Sequence, residues 1–401
     1  MSQSNRRRTT WGLFLGAGVL VAIALYLALQ AAPEPPPEEV ARPTVTAPDP
    51  APDPAPKPAV AVSRPAVDVV FVLDTTGSME GLIEGAKRKI WSIANQIISG
   101  QPRPEVRIGL IGYRDHGDAY VTRRFALSED IDEVYANLKG FSAAGGGDTP
   151  EHVNRALAEA IGKMRWRQGK KVLKLVFLVG DAPPHEGRDG LYSRRLAREA
   201  QTRGIVVNAV RCGSMASTAA SWRRIAALSG GIYASIRQDG GMVAMRSPMD
   251  KRLAALNAEL TRTLIAGGSA SRRRATRRRA KINAAMGIRA QAESAAFRAL
   301  SGKIDSGDLL TQIKRGKKLA RFKRHELPKA IARLSLAGRK AHVAKVAKRR
   351  AKLRAEIKRL HAARRAYLAR KTAGRKKGKA FDDQVKKALK AQGGRVGLSY
   401  K

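Results

Sequence analysis

Two apolar runs, each broken by a single charged residue, constrain the fold of this chain more than any other feature. They are residues 67–73 (VDVVFVL) and residues 172–179 (VLKLVFLV). Neither alternates apolar with polar residues, as a strand with one wet face would. Runs of this kind belong to strands covered on both faces, inside a parallel sheet. The intervening text supports that reading. Residues 78–98 place Leu82, Ala86, Ile90, Ile93 and Ile97 at helical spacing, and residues 106–113 read as a second strand. Residues 119–127 read as the antiparallel partner of that second strand, across an RDHGD turn. Further strands are expected over 205–211 and 232–236. Helices are expected over 129–138, 150–164, 191–202 and 218–228. The fold class is therefore α/β, a doubly wound, mainly parallel, Rossmann-like sheet with helices on both faces.

Charge divides the chain. The net formal charge is +44, and residues 241–401 hold about 46 Lys and Arg against 9 Asp and Glu. Residues 67–238 are expected to be one domain, and residues 239–401 a basic, largely helical extension. Within the extension, Leu253, Leu256, Leu260 and Leu264 mark an amphipathic helix. Val343, Val346, Leu353, Ile357, Leu360 and Tyr367 follow a coiled-coil spacing interrupted by Arg350 and Arg364. So much like charge needs an anionic partner or many counterions. The single cysteine, Cys212, excludes an intrachain disulfide.

The N-terminus reads as a membrane address. Residues 1–10 carry Arg6, Arg7 and Arg8, and residues 11–30 (WGLFLGAGVLVAIALYLALQ) contain no charge. Twenty residues of helix reach ~30 Å, the thickness of a bilayer core. The apolar run is longer than that of a cleaved signal peptide, and ALQAAP is a poor cleavage site. An uncleaved single-pass anchor is expected, with a cleaved signal as the alternative. The arginines would keep the N-terminus cytoplasmic and the main body periplasmic or extracellular. Residues 31–66 form a Pro/Ala-rich linker, a semi-rigid spacer of extended backbone.

Three loops at the carboxyl ends of expected strands carry hard oxygen ligands. Asp74-Thr75-Thr76-Gly77-Ser78-Met79 follows the first strand and offers Asp74, Thr76 and Ser78 from one turn. Gly145-Gly146-Gly147-Asp148-Thr149-Pro150-Glu151 offers Asp148 or Thr149, with Thr149 placed to cap a helix beginning at Pro150. Asp181 follows the buried run 172–179. Carboxylates and hydroxyls suit Mg²⁺, and Mn²⁺ fits the same chemistry. His116, His152 and His185 fall on the same rim. Three imidazoles could hold a transition metal. The simpler expectation is that they hydrogen-bond and orient the rim loops around the ion.

The order D-x-T-x-S, a threonine in a Gly-rich loop, then an Asp after a buried strand resembles the metal-ion-dependent adhesion site of von Willebrand factor type A domains. The resemblance covers about residues 67–236. The variants DTTGSM, GYRDH and GGGDTPE resemble the hemicentin-type and alpha-kinase-associated branch, here in a membrane-anchored bacterial setting. It implies that Asp74, Thr76, Ser78, Thr149 and Asp181 hold Mg²⁺, with Asp148 an alternative to Thr149. It also implies that a carboxylate from a protein partner completes the ion's shell. That means adhesion or assembly and not catalysis. A nucleic-acid or anionic-polymer binder acting through the basic helices is the alternative, and a metal-assisted hydrolase the third reading. With the body outside the membrane, anionic lipid or envelope polymer suits the basic region better than nucleic acid.

Overall fold

The computed structural model describes residues 64–147, 149–242, 245–373 and 380–400. The expected anchor, most of the expected linker, and Asp148 lie outside the described residues. Among the described residues no helix is long and apolar enough to cross a membrane.

Six strands form one sheet: β1 (Ala66–Asp74), β2 (Glu105–Tyr113), β3 (Thr122–Ser128), β4 (Val172–Gly180), β5 (Ile205–Cys212) and β6 (Tyr233–Ile236). Their order is β3-β2-β1-β4-β5-β6. β3 runs antiparallel to β2, and every other neighbouring pair is parallel. The two apolar runs are the central pair, β1 and β4, and every residue of both is buried. Alternation of side chains sends Val67, Val69, Phe71 and Leu73 into one layer and Val70 and Val72 into the other. Helices Glu80–Ile98 and Ile131–Lys139 cover the first layer. Helices Val153–Gly162, Ser193–Thr202 and Ala216–Leu228 cover the second. Strand order reverses between β1 and β4, so the crevice at their carboxyl ends is where such a sheet places a ligand.

Beyond β6 the chain is helical, with helices Asp250–Arg262, Ala270–Ala284, Ile288–Ser301 and the 36-residue helix Leu336–Lys371 as the main elements. Leu253, Leu256 and Leu260 pack with Ala292, Ala295, Leu353 and Ile357 in a separate small core. The coiled-coil spacing of the long helix thus finds its partner within the chain. The two arginines that interrupt that spacing are buried ion pairs. Arg350 reaches both carboxylate oxygens of Asp308, at 2.7 and 2.8 Å. Arg364 bonds Asp250 and Glu293, each at 2.6 Å.

The helical region shares the core of the sheet. Phe297 meets Trp91 edge-on at 6.2 Å. The last helix, Phe381–Gln392, returns to cover the first layer over the middle of the sheet. Phe381 lies edge-on to Phe71 at 5.9 Å and to Phe177 at 6.2 Å. Val385, Ala388 and Leu389 fill the same core, and Gln392 donates to Asn208 Oδ1 on β5 at 2.7 Å. Removing a buried phenylalanine side chain of this kind costs about 3–5 kcal/mol. The sheet therefore depends on residues some 150 positions after its last strand, with the long helix in between.

Candidate metal centre

Asp74 ends β1 at the switch point, with no exposure to solvent. Its Oδ1 accepts from the Thr76 backbone N–H at 2.9 Å and from the Thr76 hydroxyl at 2.6 Å. The Ser78 hydroxyl lies 3.4 Å from that of Thr76. These bonds are what D-x-T-x-S spacing produces when the chain turns sharply after a strand, since alternate side chains then share one side. Asp74 Oδ2 is buried and has no hydrogen-bond partner. Burial, with the nearby Asp181 charge, pushes the Asp74 carboxyl up to about 7.

Asp181 follows β4, and its Oδ2 accepts from Gln238 Nε2 at 2.6 Å. Gln238 also donates to the Ser78 carbonyl at 3.2 Å, which ties the loop after β6 to both metal-loop segments. Between the strand ends sit two more buried oxygens without partners, Glu151 Oε2 and the Tyr113 hydroxyl. Burial, and then the charges of Asp74, Asp115, Asp118 and Asp181, push Glu151 up to about 9. Burial followed by the Asp74 charge raises the Tyr113 hydroxyl. Gly180 keeps this space open, because a Cβ there would meet Tyr113 Oη at 2.3 Å and Asp74 Oδ2 at 2.9 Å.

The Gly-rich loop is pinned from below. Asp118 accepts from the Gly146 N–H at 3.0 Å and from the Asp115 N–H at 3.1 Å. Gly145 adopts φ +73°, and a Cβ on it would fall 2.1 Å from Asp118 Oδ1, so only glycine fits. Thr149 stands exposed on the rim. It does not cap a helix starting at Pro150. Glu151 instead extends the chain into a parallel bridge with Pro184, and the helix begins at Val153. The bridge bonds, Glu151 N–H to the Pro183 carbonyl and His185 N–H to the Glu151 carbonyl, take the backbone groups that an earlier helical turn would have used.

The three histidines do gather. Their rings lie 6.2 Å apart for His116 and His152, and 5.4 Å for His152 and His185. His185 Nε2 is 2.8 Å from Asp115 Oδ1. Burial lowers the His152 imidazole and so favours its neutral form. Among the described residues, no group of three or more His, Cys, Asp or Glu side chains is placed to hold a metal ion. A three-histidine transition-metal site is therefore absent there. The candidate centre rests on two carboxylates with hydroxyls. Sequence reasoning missed Glu151, Asp118, Tyr113 and Gln238. Glu151 closes the GGGDTPE segment and Asp118 closes RDHGD, so the acids themselves were the available signal.

A family model described as von Willebrand factor A domain matches residues 68–244. Over 142 residues the chain is 35% identical to von Willebrand factor A domain-containing protein 7 of Mus musculus, covering 35% of this chain and 14% of that protein. Over 121 residues it is 31% identical to Alpha-protein kinase vwkA of Dictyostelium discoideum, covering 30% of this chain and 19% of that protein. The chain thus spans less than a fifth of the length of these two relatives. Among solved structures, BatB from Bacteroides thetaiotaomicron matches 43% of this chain and 91% of its own, with 18% identity and a TM-score of 0.34. Residues 68–244 of this chain are a von Willebrand factor A domain.

Proposed function

We propose that this domain binds a protein partner through a divalent ion, Mg²⁺ by preference and Mn²⁺ by equivalence. One observation carries the reading: the Asp74 carboxylate is buried at the switch point with one oxygen unpartnered and no cation paired with it among the described residues. An isolated buried carboxylate is costly, and an ion removes that cost. The donor set fits a hard ion, since Asp74, Thr76, Ser78 and Asp181 offer only oxygens. Thr149, or Asp148 beside it, would add a ligand from the middle loop. When bound, the ion supplies an electrophilic position for a partner's carboxylate. The chain's own residues do the positioning. Thr76 fixes Asp74 by two hydrogen bonds, Asp118 holds the glycine loop against the site, and Gln238 holds Asp181. The histidines orient the rim, with His185 on Asp115. No catalytic role is assigned, and the activities of the longer relatives are not carried over.

The test is Mg²⁺ titration by calorimetry into the full chain and its Asp74→Asn variant, with a partner pull-down in Mg²⁺ and in EDTA. Binding by wild type alone is expected, and equal binding by both would sink the assignment. The full chain is required because Phe381 and Val385 complete the core. We further propose that residues 11–30 anchor the chain with this domain outside the cytoplasm. Protease applied to intact spheroplasts should then digest the domain, and full protection would refute that orientation.

A further inference from the structure

The outward face of the long helix Leu336–Lys371 has an unusual composition. Every exposed residue from Lys340 to Lys371 is Lys, Arg or Ala, and ten of them are cations. Helix geometry spreads these ten over ~46 Å of length and about two-thirds of the circumference. The acids of the helical region are spent elsewhere. Asp308 pairs with buried Arg350, Asp250 and Glu293 pair with buried Arg364, and Asp305 pairs with Arg279. Glu356, the helix's own acid, pairs with Arg252. None of the ten exposed cations forms an ion pair with a described residue. The chain thus uses its carboxylates to build the lobe and leaves one continuous convex ridge uncompensated.

We propose that this ridge binds the phosphate backbone of double-stranded nucleic acid without regard to sequence. Charge complementarity and shape carry the assignment. A helix laid on a membrane inserts an apolar face. Here that face is already committed, because Leu353 and Ile357 pack against Leu253, Leu256 and Leu260. A flat surface would meet only the crest of a convex ridge, whereas the two walls of a duplex groove meet cations on both flanks. The major groove, ~12 Å wide, admits a helix of this diameter. Alanines between the cations allow close approach. The exposed face holds no aromatic side chain for stacking on single strands and no Asn or Gln for reading base edges, so backbone contacts dominate. In the membrane orientation proposed above, the duplex met would be extracellular.

The test uses the full chain in neutral detergent, with a 30-base-pair duplex of arbitrary sequence as the probe. Engagement of about six phosphates gives a slope of log K against log salt near −5, and about a thousand-fold loss between 50 and 200 mM salt. The combined variant Lys345→Gln, Lys348→Gln, Lys352→Gln and Arg359→Gln should reduce that slope by about 3–4. Its melting temperature should not change, because these side chains are exposed and unpaired. Neutralising Arg194, Arg195 and Arg198, exposed on the helix Ser193–Thr202, should alter the slope by less than about 1. No duplex binding at 50 mM salt would overturn the proposal. So would a slope indifferent to the ridge substitutions. Phosphatidylglycerol vesicles, referenced to phosphatidylcholine vesicles to cancel insertion of residues 11–30, provide the remaining arm. Tighter ridge-dependent binding to them than to duplex at equal phosphate would assign the ridge to a membrane surface and overturn the duplex.

Discussion

Asp68 and Asp74 lie six residues apart on the same strand, both wholly buried and, at an even spacing, both facing the same layer. Their surroundings differ completely. Asp68 Oδ1 accepts from Arg107 Nε at 3.0 Å and from Arg167 Nη2 at 2.6 Å, and its Oδ2 accepts from the Arg167 backbone N–H at 2.9 Å. Burial pushes its carboxyl up, but the Arg107 hydrogen bond and the Arg167 charge outweigh that and hold it below the usual range. Asp74 has no arginine partner among the described residues, keeps an unpartnered oxygen and is pushed up to about 7. The residue type, strand and depth are the same, so the difference is the cation. A buried carboxylate that the chain neutralises itself is part of the scaffold. One left uncompensated is where the proposed ion would bind. The helical lobe repeats the Asp68 solution at Asp308 with Arg350 and at Asp250 with Arg364.

The largest effect should come from breaking a scaffold pair. Arg350→Met leaves Asp308 buried and unpaired, and should lower unfolding free energy by about 3–5 kcal/mol. Denaturant melting of the full chain measures it. A loss under about 1 kcal/mol would mean that these internal pairs are not what holds the lobe.

How much of this was legible in the residues follows the same division. Apolar runs and helical spacing located β1, β4 and the covering helices, because burial on both faces leaves a pattern that needs no partner to be read. Asp74, Thr76, Ser78 and Asp181 were visible as oxygen donors in strand-end loops, and the structure brings them to one crevice. The return of Phe381–Gln392 to the core was not legible. Its apolar stripe of Phe381, Val385, Ala388 and Leu389 shows that it packs, but nothing local shows that it packs on Phe71 and Phe177. Arg350 and Arg364 looked like interruptions of a seam. Their roles depend on Asp308, Asp250 and Glu293, which lie 42 to 114 residues away. Glu151 was in view, but its burial depends on a bridge to Pro184 that no local signal announces.

Adding the proposed divalent ion should be the next largest effect. Mg²⁺ at a hundred times its dissociation constant should stabilise the wild-type chain by about 2.7 kcal/mol, since only the folded state holds the donors together. EDTA should return the melting temperature to its starting value. The Arg350→Met variant should gain the same increment, because its site is intact. Asp74→Asn should gain nothing. A Mg²⁺ increment that persists in Asp74→Asn would place the ion elsewhere and dissolve the contrast between the two ends of β1.

The smallest effect is the most discriminating, because its sign is opposite to that at Arg350. Asp74 has its folded value raised, to about 7, above the ordinary carboxyl value of 3.8. The folded state therefore holds a proton that the unfolded state has released between pH 4 and 7. Stability of the metal-free protein should fall as pH rises through that window and stay at the lower level above it. The shift corresponds at face value to about 4 kcal/mol. Asp74→Asn removes the charge and can keep the acceptor for Thr76, but its new N–H donors carry a burial cost of about 1–3 kcal/mol. In EDTA at pH 8 the variant should thus be more stable than wild type by on the order of 1–2 kcal/mol. The advantage should be lost near pH 4, where folded wild-type Asp74 keeps its proton and the unfolded chain, at an ordinary value of 3.8, is about half protonated. Glu151 titrates in the same direction, toward about 9, in part because of the Asp74 charge, so the difference between the two curves reports on Asp74 together with its coupling to Glu151. Chemical denaturation at pH 4, 6 and 8 gives that difference. A variant less stable than wild type at all three values would make Asp74 another scaffold carboxylate, like Asp68.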